Sequence, residues 1–407
     1  MKCVREAKQI RGRRSEDILV LLFGILPVID MLNGLFRGMP IGIIYKFLLC
    51  IALFFNKIQC NGKVNKKNSL IVVLAIIYIF LSVFINVVLL NGEIINTDYP
   101  IKLIFNITMM ALFIDNCHSR KLSSKAISRI LDISSWMMII CFLVPYLLGL
   151  GVRVYGYGYK SFFIAQNELN LIVVVLLFFT SYKLTVKISI ADLIREALLL
   201  ICAILLNSKT ALIACLIATG MWVISTLKKA KLIYKISTIM VIVIGIYLFK
   251  DRFVQAVSNS LIRQNALQSR YYGNSSLAGV LSGRNFFVEE AWNDLIHNHT
   301  LFRFFFGNGF CSSVLCEMDL FDIFFYLGIV GMVAAIFFLG WIFRESLNMS
   351  RIDRTLFRPI SFLTICMLLT LAGHVLFMAM SGCYFIIYCS FLIYYKETAF
   401  SHIIRKR

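Results

Sequence analysis

Long apolar runs recur along almost the whole chain, and they constrain its fold more than any other feature. An apolar run of about 20 residues has the length of a helix that crosses a bilayer, and short polar connections separate the runs here. With 60% hydrophobic residues, the chain exceeds the roughly 45–50% that is typical of soluble proteins. The sequence therefore predicts an all-α, polytopic membrane protein whose helices form one bundle.

Twelve apolar segments are long enough to predict transmembrane helices. They cover residues 18–36, 40–55, 69–90, 99–115, 131–150, 161–181, 196–207, 209–227, 232–249, 320–343, 358–378 and 382–395. Segments 40–55 and 196–207 are short, so ten or eleven helices are alternatives. The predicted organisation is a basic N-terminus (1–17), nine helices (18–249), a polar loop (250–319), three helices (320–395) and a basic tail (396–407).

The cationic residues are concentrated in alternate connections between these segments. The N-terminus, the C-terminal tail and every second connection hold most of the 41 Lys and Arg residues. Because cytoplasmic loops are enriched in Lys and Arg, this pattern predicts that both termini are cytoplasmic and that the loop 250–319 is external. The net charge of +20 then reflects topology and does not indicate a nucleic-acid partner. We also expect no cleavable signal, because no small-residue cleavage site follows the first apolar run.

Four charged residues lie inside the predicted helices, all in the outer half: Asp30, Lys46, Lys102 and Glu168. A charge in hydrocarbon costs about 2.5–3.5 kcal/mol even on a lenient scale, so each needs a partner, water or a function. Pairing of Asp30 with Lys46 and of Glu168 with Lys102 would serve packing alone. Because all four charges lie in the outer half of the helices, we instead predict a polar cavity that is open to the outside. Nearby amides would contribute to it: Asn33, Asn106, Asn167 and Asn170.

The external loop is too aromatic to be a disordered linker. Its stretch "RNFFVEEAWNDLI" places apolar residues at helical spacing and acids elsewhere, which predicts an amphipathic helix. Ser282 is a plausible N-cap, and Arg284 falls in the first turn, where a cation opposes the helix dipole. "NSKTALIA" repeats this pattern with Ser208 and Lys209. The two helix starts together indicate a site for a multiply charged anion, such as a lipid-linked diphosphate.

The sequence lacks the motifs of metal and nucleotide sites. It has no Walker motif, no GxGxxG, no acidic pair of DxD type and no CxxC or CxxH spacing. "HNH" at 297–299 places two histidines on opposite sides of a helix without a third ligand nearby, so we predict no metal. Cys311 and Cys316 are the only cysteine pair in a polar loop, and we expect free thiols.

Candidate proton acceptors flank the tenth predicted helix. Glu317, Asp319 and Asp322 lie at its outer mouth, and His374 lies at the outer end of the next helix. A carboxylate near apolar surface can act as a general base toward a sugar hydroxyl. The alternative is a solvated helix N-terminus, where acids are favoured by the helix dipole.

The order of these features resembles the O-antigen polymerases and ligases, with their relatives that polymerise capsule and exopolysaccharide. The matching stretches, between about residues 160 and 380, are "NSKTALIA", "SGRNFFVEEAW", "FGNGF" and "EMDLFDIFFYLGIVG". The resemblance implies a GT-C-like helical membrane domain in the bacterial cytoplasmic membrane. It also implies inverting transfer of an oligosaccharide from undecaprenyl diphosphate to a sugar hydroxyl of another lipid-linked unit, without metal or cofactor.

By the same resemblance, Arg284 and Lys209 bind the diphosphate, although Lys209 stands where the family usually has Arg. Ligases carry a His where this sequence has Glu317, which favours a repeat-unit polymerase and leaves the base open among Glu317, Asp319 and His374. Expected partners are the lipid-linked oligosaccharide, membrane lipid and the flippase and chain-length regulator of the pathway, with no nucleic acid.

The predicted catalytic residues are Glu317, Arg284 and Lys209. The predicted substrate-binding residues are polar groups of the outer half or the loop: Arg37, Lys46, Lys102, Arg153, Lys160, Asn167, Glu168, Arg303, Asp319, Asp322 and His374. A ligase is one alternative. A flippase or transporter is another, which predicts charges through the membrane depth or paired halves with discontinuous helices, neither visible in the sequence. A non-enzymatic assembly subunit is the third.

Overall fold

The computed structural model describes most of the predicted helical segments. The described residues are 15–36, 39, 41–59, 66–90, 92–94, 98–119, 121–154, 158–229, 250, 254, 258, 283–297, 301–311, 315–353, 355–371, 373, 376 and 378–395.

These residues form an all-α protein with one short hairpin. The first helices are α1 (Ser15–Gly24), α2 (Leu26–Leu35), α3 (Ile41–Gln59), α4 (Lys66–Phe84, continued by a π-helical turn Ile85–Leu89), α5 (Asp98–His118) and α6 (Ser124–Leu147). The hairpin β1 (Arg153–Val154) and β2 (Gly158–Tyr159) precedes α7 (Gln166–Val186), α8 (Ile190–Leu206) and α9 (Lys209–Lys229). The remaining helices are α10 (Arg284–His297), α11 (Leu301–Phe306), α12 (Asp319–Asp353), α13 (Phe357–Leu371) and α14 (Ala379–Tyr394).

Several of these helices can cross a membrane. Six are long and apolar enough, and a seventh span results if α1 and α2, which are bent by 42° at Ile25, count as one. The chain is therefore a multi-pass membrane protein. Eleven of the predicted segments overlap described helices, although 161–181 is shifted against α7 and 358–378 extends beyond α13; segment 232–249 lies outside the described residues. Helices α8, α13 and α14 are shorter than a typical span, and in α9 only Thr210–Ser225 counts as a shorter apolar helix, so the predicted count of twelve spans stays a prediction.

Helix α7 lies at the centre of the bundle. Of the positions in its apolar stretch, 89% are buried. Helix α7 packs against α6, α8, α9, α13 and α14. Its run "LNLIVVVLLFF" is apolar on every side, as expected of a helix surrounded by other helices. The peripheral helix α4, by contrast, has only 22% of its window buried and exposes Ile77, Phe80 and Phe84.

Buried ion pairs join the helix ends that the charge pattern assigns to the cytoplasmic side. Arg358, at the start of α13, is fully buried and donates to the Asp353 carboxylate at 2.5 Å. Its other N–H groups donate to the Tyr182 hydroxyl and to carbonyls at the end of α14. Lys57 and Asp115 form a second buried pair at 2.8 Å between α3 and α5.

A third polar cluster joins α6, α7 and α8 at the same end of the bundle. Lys183 donates to Asp132 at 2.9 Å, and Arg195 forms ion pairs with both Asp132 and Asp192. Helix ends that the sequence assigns to one side are thus held together by direct contacts.

Helix α12 is interrupted at Gly328, where φ is 65° and ψ is −169°. The interruption frees carbonyls of the preceding turn, and the "FGNGF" turn supplies donors for them. Asn308 N donates to Phe325 O at 2.8 Å, and Gly309 N donates to Tyr326 O at 3.2 Å. A Cβ at Gly328 would lie 2.2 Å from the Phe305 carbonyl oxygen, so only glycine fits this approach.

Three side chains of α4 and its π-helical turn complete this junction. Tyr78 donates to Leu327 O at 2.5 Å and to Phe305 O at 3.1 Å. Ser82 donates to Phe306 O at 2.6 Å, and Asn86 donates to Gly307 O at 2.9 Å. Because Tyr78, Ser82 and Asn86 are four residues apart, they lie on one face of the helix.

Candidate functional site

The candidate site lies at the bundle end opposite the three ion-pair clusters, around the connection between α13 and α14. Asp319 accepts from Leu376 N at 2.7 Å, and Asn106 Nδ2 donates to Leu376 O at 2.6 Å. Met318 forms a parallel β-bridge with Gly373. A Cβ at Gly373 would lie within 3 Å of the Asn167 side chain. Helices α5, α7 and α12 thus hold this connection from three sides.

Arg284 and Glu317 are brought together at the edge of this connection. Arg284 begins α10, as predicted, and its Nη2 lies 3.2 Å from Glu317 Oε2. Its Nη1 donates to the Leu371 carbonyl at 3.4 Å. The Arg284 side chain is 14% exposed, whereas that of Glu317 is 49% exposed. Among the residues that the structure describes, the buried Arg284 Nε has no hydrogen-bond partner, which leaves one cationic donor for a ligand.

The predicted amphipathic helix forms α10 and packs against the first half of α12. Ala291 is buried, and Val288 and Leu295 pack with it against Met318 and Phe325. Trp292 is on the border of this face, 45% exposed, and its ring stacks on Phe324 at 6.2 Å. This packing places Arg284 beside Glu317.

Asp319 and Asp322 have structural contacts. Asp319 is fully buried and binds the Leu376 N–H, as described above. Asp322 is also buried, and its two carboxylate oxygens accept from Cys316 N at 2.9 Å and Met318 N at 3.1 Å. The Asp322 carboxylate therefore holds the backbone on both sides of Glu317, which itself has a left-handed φ of 53°. The structure therefore gives these two predicted substrate ligands a positioning role.

The four predicted intramembrane charges form one electrostatic neighbourhood. The charges of Asp30, Lys46 and Lys102 all act on the Glu168 carboxylate, and Lys46 also acts on Asp30. Lys102 forms an ion pair with Asp98 at 3.5 Å. Asp30 and Glu168 are buried. The two predicted pairs, Asp30 with Lys46 and Glu168 with Lys102, thus lie close enough to act on one another electrostatically.

This cluster adjoins the α13–α14 connection. Asn167 and Glu168 are consecutive at the start of α7, and Lys102 and Asn106 are one turn apart on α5. Asn106 and Asn167 contact the connection, as described above. Charged and amide groups from four helices and from the start of α12 therefore meet at one end of the bundle.

Other predicted cations lie in separate local settings. Arg153 is exposed in the β-hairpin, and Lys160 donates to Ile164 O at 2.6 Å in the connection to α7. Arg303 lies on α11, and its Nε is buried without a hydrogen-bond partner in the described part of the chain. The structure does not bring these three side chains into contact with Arg284.

Some predicted residues fall outside what the structure describes. Arg37, His374 and Ser282 are outside the described residues, and for Lys209 only the backbone is described. Lys209 begins α9, as predicted, and the preceding Ser208 shares a hydrogen bond of 2.7 Å with the Thr210 hydroxyl. Gln166 donates to Leu206 O at 2.7 Å, which places the start of α9 near the start of α7.

The loop cysteines are free thiols, as predicted. Burial raises the pKa of the Cys316 thiol and that of the Cys311 thiol, which disfavours the reactive thiolate form of both. Among the described residues, no group of three or more His, Cys, Asp or Glu is arranged to hold a metal ion.

Sequence reasoning missed the contacts that assemble the site. The roles of Gly373 and of the Leu371 and Leu376 backbone had no signal in the sequence, because carbonyl and N–H groups are common to all residues. The glycines of "FGNGF" carried a turn signal, but nothing indicated that the turn joins α4 to the interruption in α12.

Comparison with models of known protein families finds no match for this chain, and comparison with curated protein sequences also finds no match.

Proposed function

We propose that this protein is a polysaccharide repeat-unit polymerase that transfers an oligosaccharide from an undecaprenyl-diphosphate carrier to a sugar hydroxyl of another lipid-linked unit. The observation that carries the proposal is the contact between Arg284 and Glu317 beside a cluster of membrane-buried polar groups. A cation with a free donor suits a diphosphate, and a neighbouring exposed carboxylate suits a hydroxyl proton.

The proposed reaction is a displacement at the anomeric carbon of the donor sugar. The acceptor hydroxyl oxygen forms the new bond to that carbon while the bond from the carbon to the diphosphate oxygen breaks. The electron pair of the broken bond stays on undecaprenyl diphosphate, and the hydroxyl proton passes to the Glu317 carboxylate. Attack from the face opposite the leaving group inverts the anomeric configuration. Arg284, and Lys209 from the start of α9, stabilise the charge on the leaving diphosphate.

The ion pair between Arg284 and Glu317 is compatible with this role because half of the Glu317 side chain is exposed. Exposed ion pairs contribute only about 0–1 kcal/mol, since water competes for both charges. A diphosphate carries more charge than one carboxylate and can engage both Nη2 and the free Nε of Arg284. Donor binding would then release Glu317 toward the acceptor.

Of the two candidate bases that the structure describes, Glu317 and Asp319, Glu317 has the more suitable environment. Asp319 is fully buried and bound to the Leu376 N–H, so an acceptor sugar cannot reach it without opening the connection. Asp322 instead fixes the backbone on both sides of Glu317 through its two carboxylate oxygens. Lys46, Lys102, Asn167 and Glu168 are proposed to contact the sugars.

The test is synthesis by the purified full chain in liposomes that contain an undecaprenyl-diphosphate oligosaccharide. We expect a ladder of polymer sizes on a gel. Arg284→Ala should lower the rate about 10²–10³-fold, as does loss of an electrostatic stabiliser, and Glu317→Gln about 10²–10⁴-fold, as does loss of a general base. Arg284→Lys should retain part of the rate, because it keeps the charge but loses bidentate contact.

The matched control is Arg129→Ala, which removes an exposed arginine paired with Asp17 at the other end of the bundle. It should leave the ladder unchanged. An undiminished ladder in Arg284→Ala would refute the mechanism. Product formed only when a lipid A core acceptor is supplied would identify the ligase alternative.

A transporter of lipid-linked oligosaccharide is the second candidate, and one observation favours it. Transporters often use discontinuous helices within the membrane, and α12 is interrupted at Gly328, a feature that the sequence did not reveal. If the liposomes yield no polymer but move the labelled lipid between leaflets, the transporter is correct. The polymerase proposal further expects location in a bacterial cytoplasmic membrane with the site outside, both termini inside, and the flippase and chain-length regulator as partners.

A further inference from the structure

Residues 301–311, which comprise α11 and the "FGNGF" turn, bind the middle of a membrane span. We call this segment the 301–311 hairpin. Tyr78, whose hydroxyl binds the Phe305 carbonyl, is nine residues after the start of the apolar span Ser69–Leu89. At about 1.5 Å per residue, Tyr78 is roughly 14 Å from the Ser69 end and roughly 16 Å from the Leu89 end. Phe305 therefore lies about halfway along the span.

From Phe305 the hairpin returns along α4 toward one end only. The Phe306 carbonyl is bound by Ser82 and the Gly307 carbonyl by Asn86, each one turn closer to Leu89. The segment then reaches Gly92, where an added Cβ would lie 3.1 Å from Cys311 Sγ. From Phe305 onward the chain thus returns along α4 to its Leu89 end.

The polar backbone groups at this depth have protein partners. In hydrocarbon no water is present to bind a free N–H or C=O group, so irregular backbone is tolerated only where protein satisfies it. Here α4 side chains bind the carbonyls of residues 305, 306 and 307, while Gly307, Asn308 and Gly309 N–H groups donate to Arg303, Phe325 and Tyr326 carbonyls. The interruption of α12 is satisfied by the same contacts.

The side chains on the other face of the hairpin are apolar and exposed. Leu301 is 80% exposed, Phe302 55% and Phe305 47%. They continue the exposed apolar surface that Phe80 and Ile77 form on α4. The one charged side chain of α11, that of Arg303, has its Nε buried in the protein, so this atom does not face the exposed apolar surface.

We propose that the 301–311 hairpin is a re-entrant element that enters the bilayer from the Leu89 end of α4 and contacts lipid acyl chains through Leu301, Phe302 and Phe305. This assigns part of the predicted external loop to the membrane interior. The proposal goes beyond the proposed function and does not depend on it, because it concerns the lipid contact of the hairpin and not any reaction.

The test is photolabelling of the full chain in nanodiscs, with two phospholipids that carry a diazirine either at mid-acyl chain or at the headgroup. Mass spectrometry locates the adducts. We expect the mid-chain probe to label residues 301–306 as well as the exposed Phe80 of α4. Leu356, an equally apolar and 65% exposed residue between α12 and α13, is the matched internal control and should escape the mid-chain probe. Labelling of residues 301–306 by the headgroup probe alone would overturn the proposal.

A double variant tests what holds the hairpin at this depth. Tyr78→Phe with Ser82→Ala removes the two hydroxyl donors and keeps the helix apolar. Mid-chain labelling of residues 301–306 should fall several-fold, while Phe80 keeps its label. Unchanged labelling in the double variant would contradict the role of these hydrogen bonds.

Discussion

At the scale of single residues, the environment of each arginine separates structural from functional candidates. Arg358 is fully buried, and each of its five N–H groups has an acceptor among Asp353, Tyr182 and the end of α14. Arg284 has one carboxylate and one distant carbonyl as partners, and its Nε is buried without a partner in the described residues. All N–H donors of Arg358 are therefore used by protein acceptors, whereas Arg284 keeps a donor that a ligand could accept from.

The first residue-scale prediction concerns Arg358. Arg358→Ala leaves the buried Asp353 carboxylate without its cation, which should lower the free energy of unfolding by about 3–5 kcal/mol. The measurement is the thermal unfolding midpoint of purified protein in detergent. Arg129→Ala is the matched control: Arg129 and Asp17 are 56% and 57% exposed, so its effect should stay within about 1 kcal/mol. Equal shifts for the two variants would contradict the structural role of Arg358.

At the scale of elements, the interruption of α12 is the feature that organises the neighbouring segments. Gly328 lets the helix break, the "FGNGF" turn supplies N–H donors, and α4 supplies hydroxyl and amide donors. The first half of α12 then also carries α10 and hence Arg284. The position of the candidate site is therefore linked to this break.

Substitution of Gly328 provides the element-scale prediction. Gly328→Ala should lower stability and displace α11, because the new Cβ would lie 2.2 Å from a backbone oxygen at a positive φ. Gly340→Ala, in the second half of the same helix with no atom within 4 Å of the added Cβ, should keep or slightly raise the unfolding midpoint, since Ala favours a helix by roughly 0.5–1 kcal/mol over Gly. A harmless Gly328→Ala would show that the break is not required.

At the scale of the whole molecule, the two ends of the bundle differ in kind. One end is held by buried ion pairs such as Lys57 with Asp115 and Arg358 with Asp353. The other end gathers Asp30, Glu168 and their lysines with the Arg284–Glu317 pair. The two ends thus differ in how their charges are paired: direct buried ion pairs at one end, and a group of charges near the Arg284–Glu317 contact at the other.

The charge pattern gives a prediction at this scale. A reporter that is active only outside the cell should be active when fused after Leu90 and inactive when fused after the C-terminal Arg407, because cationic connections stay in the cytoplasm. A cytoplasmic fluorescent reporter should show the reverse pattern. Activity of the external reporter at the C-terminus would contradict the predicted orientation.

Helix existence could be predicted from the sequence because apolar length and local spacing decide it. The α10 helix is an example: Val288, Ala291 and Leu295 are at helical spacing and do form its packed face. The junction of α4 with residues 305–307 could not be predicted, because its partners are more than 200 residues apart and half of each contact is backbone. The sequence placed Arg284 and Glu317 in the same predicted external region. It could not predict their contact, because no local pattern specifies the distance between two loops.

The junction between α4 and the 301–311 hairpin also has a consequence for biosynthesis. Ser82 and its acceptor at Phe306 are separated by 224 residues, which a ribosome adding about 5–20 residues per second needs roughly 10–45 s to make. During that interval α4 is already in the membrane with Tyr78, Ser82 and Asn86 still lacking these acceptors. Until the distant turn is translated, neighbouring helices or assembly factors must therefore shield this polar face of α4 from lipid.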